Sequence, residues 1–381
     1  MKSTAIIFFQ LLIPLLMTTG CWNLKEPDQL AFVGGNGLDL TEDGKLEASA
    51  LLVTPSGVGG GQSGGDKKGS FHVMNATGKN VSDALANMQT MISRVVFAGH
   101  RDIFLVGQKL AEKGMGDTID PFMRSAQSDM RAMIYVVKNG RPKDVFSSKP
   151  FFDPFITTTL SDEQEAIGLK PYLAREFVVD VLSDGTQPLL PAVSLNPSKQ
   201  YSYSGTAILN KDDGVKLVGF LDKKESTYAL WIADRISSFI LTTFVPEGDG
   251  NISLTIDTIG RRIKAKQIEE RIQIDVHLIG EGAIIENNTN LDPSKREDLL
   301  LIQEKVNQKT KKSIEQLVKK VQEEYQMDIF GFGETVHQQY PRQWKKIKQN
   351  WPKTFPTVDV LVKVELQCND SGLANSSLNR R

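Results

Sequence analysis

Two thiols, four imidazoles and one glycine-rich run are the residues here that could carry particular chemistry. Cys21 follows the small residues Thr18-Thr19-Gly20 and an apolar stretch, so its sulfur is a candidate for modification. Cys368 lies in an alternating apolar segment, and two cysteines cannot build a disulfide framework. A structural zinc site needs about four Cys or His ligands at close spacing, and no such cluster occurs. His277 stands on the polar side of an alternating segment, with no second ligand at suitable spacing. The glycines from Gly57 to Gly65 invite a phosphate-loop reading. That loop needs Gly, four residues, then Gly-Lys-Ser/Thr ahead of a helix. Gly64 and Gly69 have the first spacing, but Ser70 stands where the lysine must be, and Phe71-His72-Val73 reads as extended. Gly331-Phe332-Gly333 lacks the third glycine of a dinucleotide fingerprint. The expectation is a protein with no catalytic, metal or cofactor-binding residues.

The N-terminus reads Met1-Lys2-Ser3-Thr4, then an apolar stretch from Ala5 to Met17. A membrane-spanning helix needs roughly 20 apolar residues, so this shorter run, interrupted by Gln10 and Pro14, reads as an export signal. Thr18-Thr19-Gly20-Cys21 resembles a bacterial lipobox. That resemblance implies a diacylglyceryl group on the Cys21 sulfur and cleavage between Gly20 and Cys21. Thr18 departs from the pattern, which usually has leucine there. The alternative is an ordinary signal peptide whose cysteine later pairs with Cys368. Two acyl chains suffice for stable anchoring, so a lipidated Cys21 would hold a soluble body on the outer face of a membrane.

Lys and Arg number 45 against 46 Asp and Glu, a formal net charge of −1 that excludes a generally basic nucleic-acid binder. Loss of residues 1–20 takes away Lys2 alone among the charges, leaving one negative charge more. Such a chain has little general attraction to an anionic membrane. A length of 381 residues suggests two to three domains.

The elements follow from periodicity and turn residues. Ala31 to Gly35 and Leu46 to Val53 flank Glu42-Asp43-Gly44, a hairpin signal. Residues 54–70 read as a mobile loop. Val81, Ala84, Leu85, Met88, Met91, Ile92 and Val95 predict a helix over 80–95, with the methionines as core filler. A buried strand at 103–106, a helix over 108–113 ended by Gly114, a helix over 118–125 and a strand at 132–138 follow. Phe177 to Leu182 reads as strand or as the end of a helix from Ser161. Pro188, Pro191 and Pro197 make 183–205 a Pro-rich boundary. It separates an N-terminal α/β region, 21–190, in two subdomains from a C-terminal α/β domain, 206–370. The latter has a hairpin over 207–220, a helix over 226–234, and strands over 252–266 and 271–279. A charged helix over 294–326 follows, with a bend at Thr310 to Ser313, then a short helix over 342–348 and a strand from Val358. Residues 371–381 are a polar tail. Strands alternating with helices indicate an α/β fold (α+β, with mixed or antiparallel sheets and flanking helices).

Several blocks in this order are similar to one family. They are Gly20-Cys21-Trp22; Gly99-His100-Arg101-Asp102-Ile103-Phe104-Leu105-Val106-Gly107; Leu110-Ala111-Glu112-Lys113-Gly114; the hairpin from Gly205 to Leu221; and Asp328-Ile329-Phe330-Gly331-Phe332-Gly333 through Trp344 and Trp351 to the last strand. Together they resemble the Ger(x)C family, the lipoprotein C subunits of bacterial spore nutrient germinant receptors, over nearly the whole chain. The resemblance implies a body of three α/β domains tethered to the outer face of the inner spore membrane. It implies assembly with a membrane-embedded A subunit and a transporter-like B subunit, and it carries no catalytic residues. Phe330 and Phe332 could form an exposed contact loop or a buried turn. A solute-binding lipoprotein feeding a transporter is the alternative, and it predicts two similar lobes around a cleft. An envelope hydrolase is a third reading.

Overall fold

The computed structural model describes residues 29–53, 71–124, 129–150, 152–153, 155–198, 200–268 and 271–370. The leader, Gly20, Cys21, the glycine run 54–70 and the tail 371–381 lie outside the described residues. Among the described residues there are two sheets, one of nine strands and one of four, with helices against both.

The first sheet starts from the expected hairpin, β1 (Leu30–Leu40) and β2 (Leu46–Val53), and β2 then pairs antiparallel with β3 (Phe71–Gly78). On its other edge β1 pairs in parallel with two short strands in succession, β4 (Val95–Phe97) and β5 (Ile103–Gly107). Next come β6 (Met133–Lys138) and β7 (Leu189–Leu195), both parallel, then the antiparallel pair β8 (Tyr201–Asn210) and β9 (Lys216–Leu221). The sheet thus runs through the Pro-rich stretch to Leu221. Every residue of β5 is buried, as expected of a parallel strand covered on both faces. Phe104 and Val106 join one core with Leu38, Val81 and Met88; Ile103 and Leu105 join another with Tyr135, Phe146 and Leu160.

Helices α1 (Val81–Gln89), α2 (Gln108–Lys113) and α3 (Gly116–Arg124) contribute to the first core, and α4 (Pro142–Phe146) and α5 (Ile156–Ala166) to the second. Helix α1 stops six residues before the expected end, and Met91 is 58 % exposed rather than core filler. The reason is Gln89. Its amide donates to the carbonyls of Ile92 and Arg94, and its Oε1 accepts from Val96 N–H at 3.1 Å. These bonds hold 90–96 as a turn leading into β4. Helix α6 (Ala174–Leu182) settles the ambiguous Phe177 segment as helix, its start held by Glu176 accepting from Leu173 N–H at 3.1 Å. Helix α2 ends at Gly114 as expected.

Helix α7 (Lys223–Ile232) opens on a capping box, with Asp222 accepting from Glu225 N–H and Glu225 from Asp222 N–H. It leads into the second sheet: β10 (Phe239–Val245), β11 (Gly250–Ile268), β12 (Arg271–Asn287) and β13 (Asp359–Asp370), with only β12–β13 parallel. The long helix α8 (Arg296–Lys320) packs Ile302, Val306, Ile314 and Leu317 into its core. It runs unbroken through Thr310 to Ser313, where a bend was expected. Thr310 is buried on the packed face, so the apolar stripe continues through that polar residue. Short helices α9 (Phe332–Gln339), α10 (Pro341–Ile347) and α11 (Trp351–Thr354) close the core. No helix among the described residues is long and apolar enough to cross a membrane.

Candidate functional site

The block from Asp328 to Gly333 is a buried anion cradle filled by its own aspartate. Asp328 Oδ1 accepts from the N–H groups of Phe330, Gly331 and Phe332 at 3.0–3.1 Å. Its Oδ2 accepts from Gly333 N–H at 2.7 Å and Trp351 Nε1–H at 3.0 Å. Gly331 adopts φ of +76°, left-handed backbone that glycine tolerates without strain. Burial raises the Asp328 carboxyl above its ordinary pKa, and the ring of N–H donors opposes that shift. Phe330 and Phe332 are 2 % and 0 % exposed, so the loop is a buried turn and not a contact surface.

This cradle also joins the two sheets. Asp328 carbonyl accepts from Gln187 N–H at 2.8 Å, Gly185 carbonyl accepts from Glu334 N–H at 3.2 Å, and Lys348 pairs with Asp184 at 2.9 Å. A polar cleft of about 610 Å³ lies beside it, lined among others by Asp184, Lys211, Asp212 and Lys348. The Lys211 ammonium donates to the Ser183 carbonyl, and burial pulls its pKa down. Cations and carboxylates alternate around the cleft and Asp328 is sealed by its own donors, so the arrangement fixes a junction rather than a reacting centre.

A second cavity, of about 430 Å³, is built around Arg101. Two short strands share one edge of β1: Leu30–Phe32 pairs with Val95–Phe97, and Gly35–Leu38 with Ile103–Val106. The chain must leave the sheet between them, and residues 98–102 make that excursion. Asp102 returns it, its N–H donating to Gly34 carbonyl at 2.9 Å. Arg101 is carried inward and is only 3 % exposed. Its Nη1 donates to Asn36 Oδ1 at 3.1 Å, and its guanidinium carbon lies 5.4 Å from the ring centres of both Phe104 and Phe122. Burial lowers its pKa to about 10. Alternation along β1 puts Asn36 on this face and Gly35 and Gly37 on the other, where a Cβ on Gly37 would stand 2.3 Å from Pro142. The sequence marked Gly99 to Gly107 as a block without a role; Asn36, Gln89 and Phe122 carried no signal of their own.

Cys368 lies in β13, half-buried, and burial pushes its thiol up to about 11. His277 Nε2 sits 2.8 Å from Glu365 Oε2 across the β12–β13 pair. Among the described residues no group of three or more His, Cys, Asp or Glu is placed to hold a metal. Gly61-Gln62-Ser63-Gly64-Gly65 spells the letters of a nucleophile elbow, a match the sequence reading passed over. The elbow needs a strand turning into a helix, whereas the described strands on either side, β2 and β3, pair antiparallel from Val53↔Phe71 onward. That hairpin connection equally removes the helix a phosphate loop requires.

Comparison with known proteins adds three findings. A family described as spore germination protein N-terminal domain matches residues 23–195, and one described as spore germination B3/GerAC like, C-terminal, matches 204–372. Spore germination protein KC of Bacillus subtilis (strain 168) is 23 % identical over 97 % of this chain and 96 % of its own length. Spore germination protein B3 of the same organism is 24 % identical over 93 % of this chain and 95 % of its own length. A crystal structure of the GerBC protein superposes with a TM-score of 0.60 at 20 % identity, covering 88 % of this chain and 97 % of that one, which establishes a shared fold.

Proposed function

The chain belongs to the GerAC-like family of spore germination proteins, and on that premise we propose that it is the membrane-tethered C subunit of a spore nutrient germinant receptor. In this reading it acts without catalysis, through contacts with the membrane A and B subunits of the receptor. The observation that carries it is the placement of the family match. The matched region begins at residue 23, two residues after the lipobox cysteine, and continues to residue 372. Gly20 and Cys21 mark the cleavage point, and a diacylglyceryl group on Cys21 tethers the body to the outer face of the inner spore membrane. The mature charge of about −2, one unit below the formal −1, gives the body no electrostatic hold on anionic lipid, so the lipid and the partners supply it. A solute-binding lipoprotein would show two similar lobes, and the nine-stranded and four-stranded sheets are unlike each other.

The test is fractionation of spores carrying Cys21→Ala, together with their response to nutrients. The variant protein is expected to leave the membrane fraction and the nutrient response to fall with it. Full membrane retention with an unchanged response would overturn lipid tethering. Failure of the wild-type chain to co-isolate with any membrane subunit would overturn the receptor role.

A further inference from the structure

The Arg101 cavity has the size, enclosure and charge of a ligand site, and nothing in the germinant-receptor reading uses it. Its volume of about 430 Å³ falls within the range of small-molecule sites, roughly 300–1,000 Å³. Val81, Leu85, Val96, Ala98, Pro121 and Phe122 supply apolar walls. Asn36, Ser82 and Gln89 are the neutral polar groups among the described lining residues, and Arg101 is the only charged one. Gln89 already spends its amide on the 92–96 turn, so it shapes the wall rather than facing a guest. Asn36 accepts from Arg101 and so fixes the guanidinium in place. Asp129 acts on Arg101 from outside the cavity lining, and it is itself held by Arg131 at 2.9 Å.

We infer that this cavity binds a small organic monocarboxylate with an apolar body, its carboxylate on the Arg101 guanidinium and its carbon chain against Leu85, Val96 and Phe122. A planar guanidinium pairs with a carboxylate through two parallel N–H···O bonds, and the low-polarity walls strengthen that pairing. No acid among the described lining residues is present to receive an ammonium group, which sets a simple carboxylate above a zwitterionic amino acid of the same skeleton. An uncharged sugar or amide would leave the guanidinium desolvated without an anion, an unfavourable exchange. The mouth lies at α1, where Ser82 and Ala86 are exposed yet line the cavity.

Three probes of one carbon skeleton test it on the full mature chain: hexanoate, norleucine and hexanamide. Titration calorimetry and thermal melting are read for each. Hexanoate is expected to bind and raise the melting temperature, norleucine more weakly, and hexanamide not at all at the same millimolar concentrations. Arg101→Gln is expected to weaken hexanoate binding about 10- to 100-fold, the change for one lost charge-assisted hydrogen bond. Because Arg101 is buried and its replacement could unfold the domain, Ala86→Trp is the second variant. It blocks the mouth from an exposed helical position, and should abolish binding while the far-ultraviolet circular dichroism stays that of the wild type. Equal binding of hexanoate and hexanamide, hexanoate binding that survives Ala86→Trp, or no binding of hexanoate at tens of millimolar would each overturn the assignment. The readout is independent of germination, so the receptor role and the ligand site stand or fall separately.

Discussion

Replacing Asp328 by asparagine changes one atom of the cradle and should cost a large share of the fold's stability. Asparagine has the shape of aspartate but one acceptor end and one donor end. With its oxygen toward Phe330, Gly331 and Phe332, it keeps those three bonds and turns its NH2 against Gly333 N–H and Trp351 Nε1–H. The flipped amide opposes three donors instead of two, so the first orientation is preferred. Two charge-assisted hydrogen bonds are then lost, at about 1.5–3 kcal/mol each. Removing a buried charge offsets part of this. The net expectation is a loss of about 3 kcal/mol, against a typical total of about 5–15 kcal/mol. Urea unfolding followed by tryptophan fluorescence suits the site, because Trp351 is itself a partner and Trp344 stands 5.4 Å from it.

A double-mutant cycle makes the reasoning strict. Trp351→Phe removes one of the two donors that collide with the new NH2. The double variant should therefore be less destabilised than the sum of the singles, by about 1 kcal/mol. An Asp328→Asn protein within about 0.5 kcal/mol of wild type, or an additive cycle, would refute the cradle as a source of stability.

The thiol of Cys368, pushed up to about 11, should be roughly one part in a thousand ionised at pH 8, against about a quarter in the unfolded chain. In a Cys21→Ser protein, iodoacetamide should then react about two hundredfold more slowly with the native state. Moving from pH 8 to 9 should speed that native reaction about tenfold, because the thiolate grows as pH rises toward the folded pKa. A native rate close to the unfolded one would contradict the burial. Gly37→Ala would place its Cβ 2.3 Å from Pro142 and lift α4 off β1, costing about 1–3 kcal/mol in thermal or urea unfolding. Arg235 pairs with Asp180, donates to the Leu189 carbonyl at 3.2 Å and lies 4.2 Å from the Tyr172 ring centre. Arg235→Met strands the Asp180 carboxylate and should lower stability by about 3 kcal/mol in urea, with a smaller loss when Asp180→Asn is added.

The sequence was legible where the deciding interactions are local. Glu42-Asp43-Gly44 turned β1 into β2, Gly114 ended α2, and the alternation from Ile272 to Leu278 and from Val360 to Leu366 marked the core face of the second sheet. It misled where a side chain redirects the backbone. The apolar spacing of α1 continues to Val95, yet Gln89 spends its amide on the following turn and ends the helix. It was silent about Arg101, because arginine is exposed by default. Only the sharing of one β1 edge by β4 and β5 carries that side chain inward, and two strands meeting the same partner at different registers leave no periodic trace.

The cradle at Asp328 lies between these cases, and its logic could have been read from spacing alone. An aspartate followed by glycines three and five residues on offers a carboxylate and then a run of amides free to curl around it. Such curled amides otherwise mark anion sites, and Gly331-Phe332-Gly333 invited comparison with a nucleotide loop for that reason. Here the anion is supplied four residues or fewer upstream by the chain itself, which closes the site and leaves nothing for a ligand to displace. The same closure makes the loop rigid enough for Asp328 carbonyl and Glu334 N–H to hold the 185–187 segment of the other sheet. A motif with the amides of a binding loop and an internal carboxylate is therefore a joint, and the ligand chemistry of this protein is to be sought at the cation the fold buries instead.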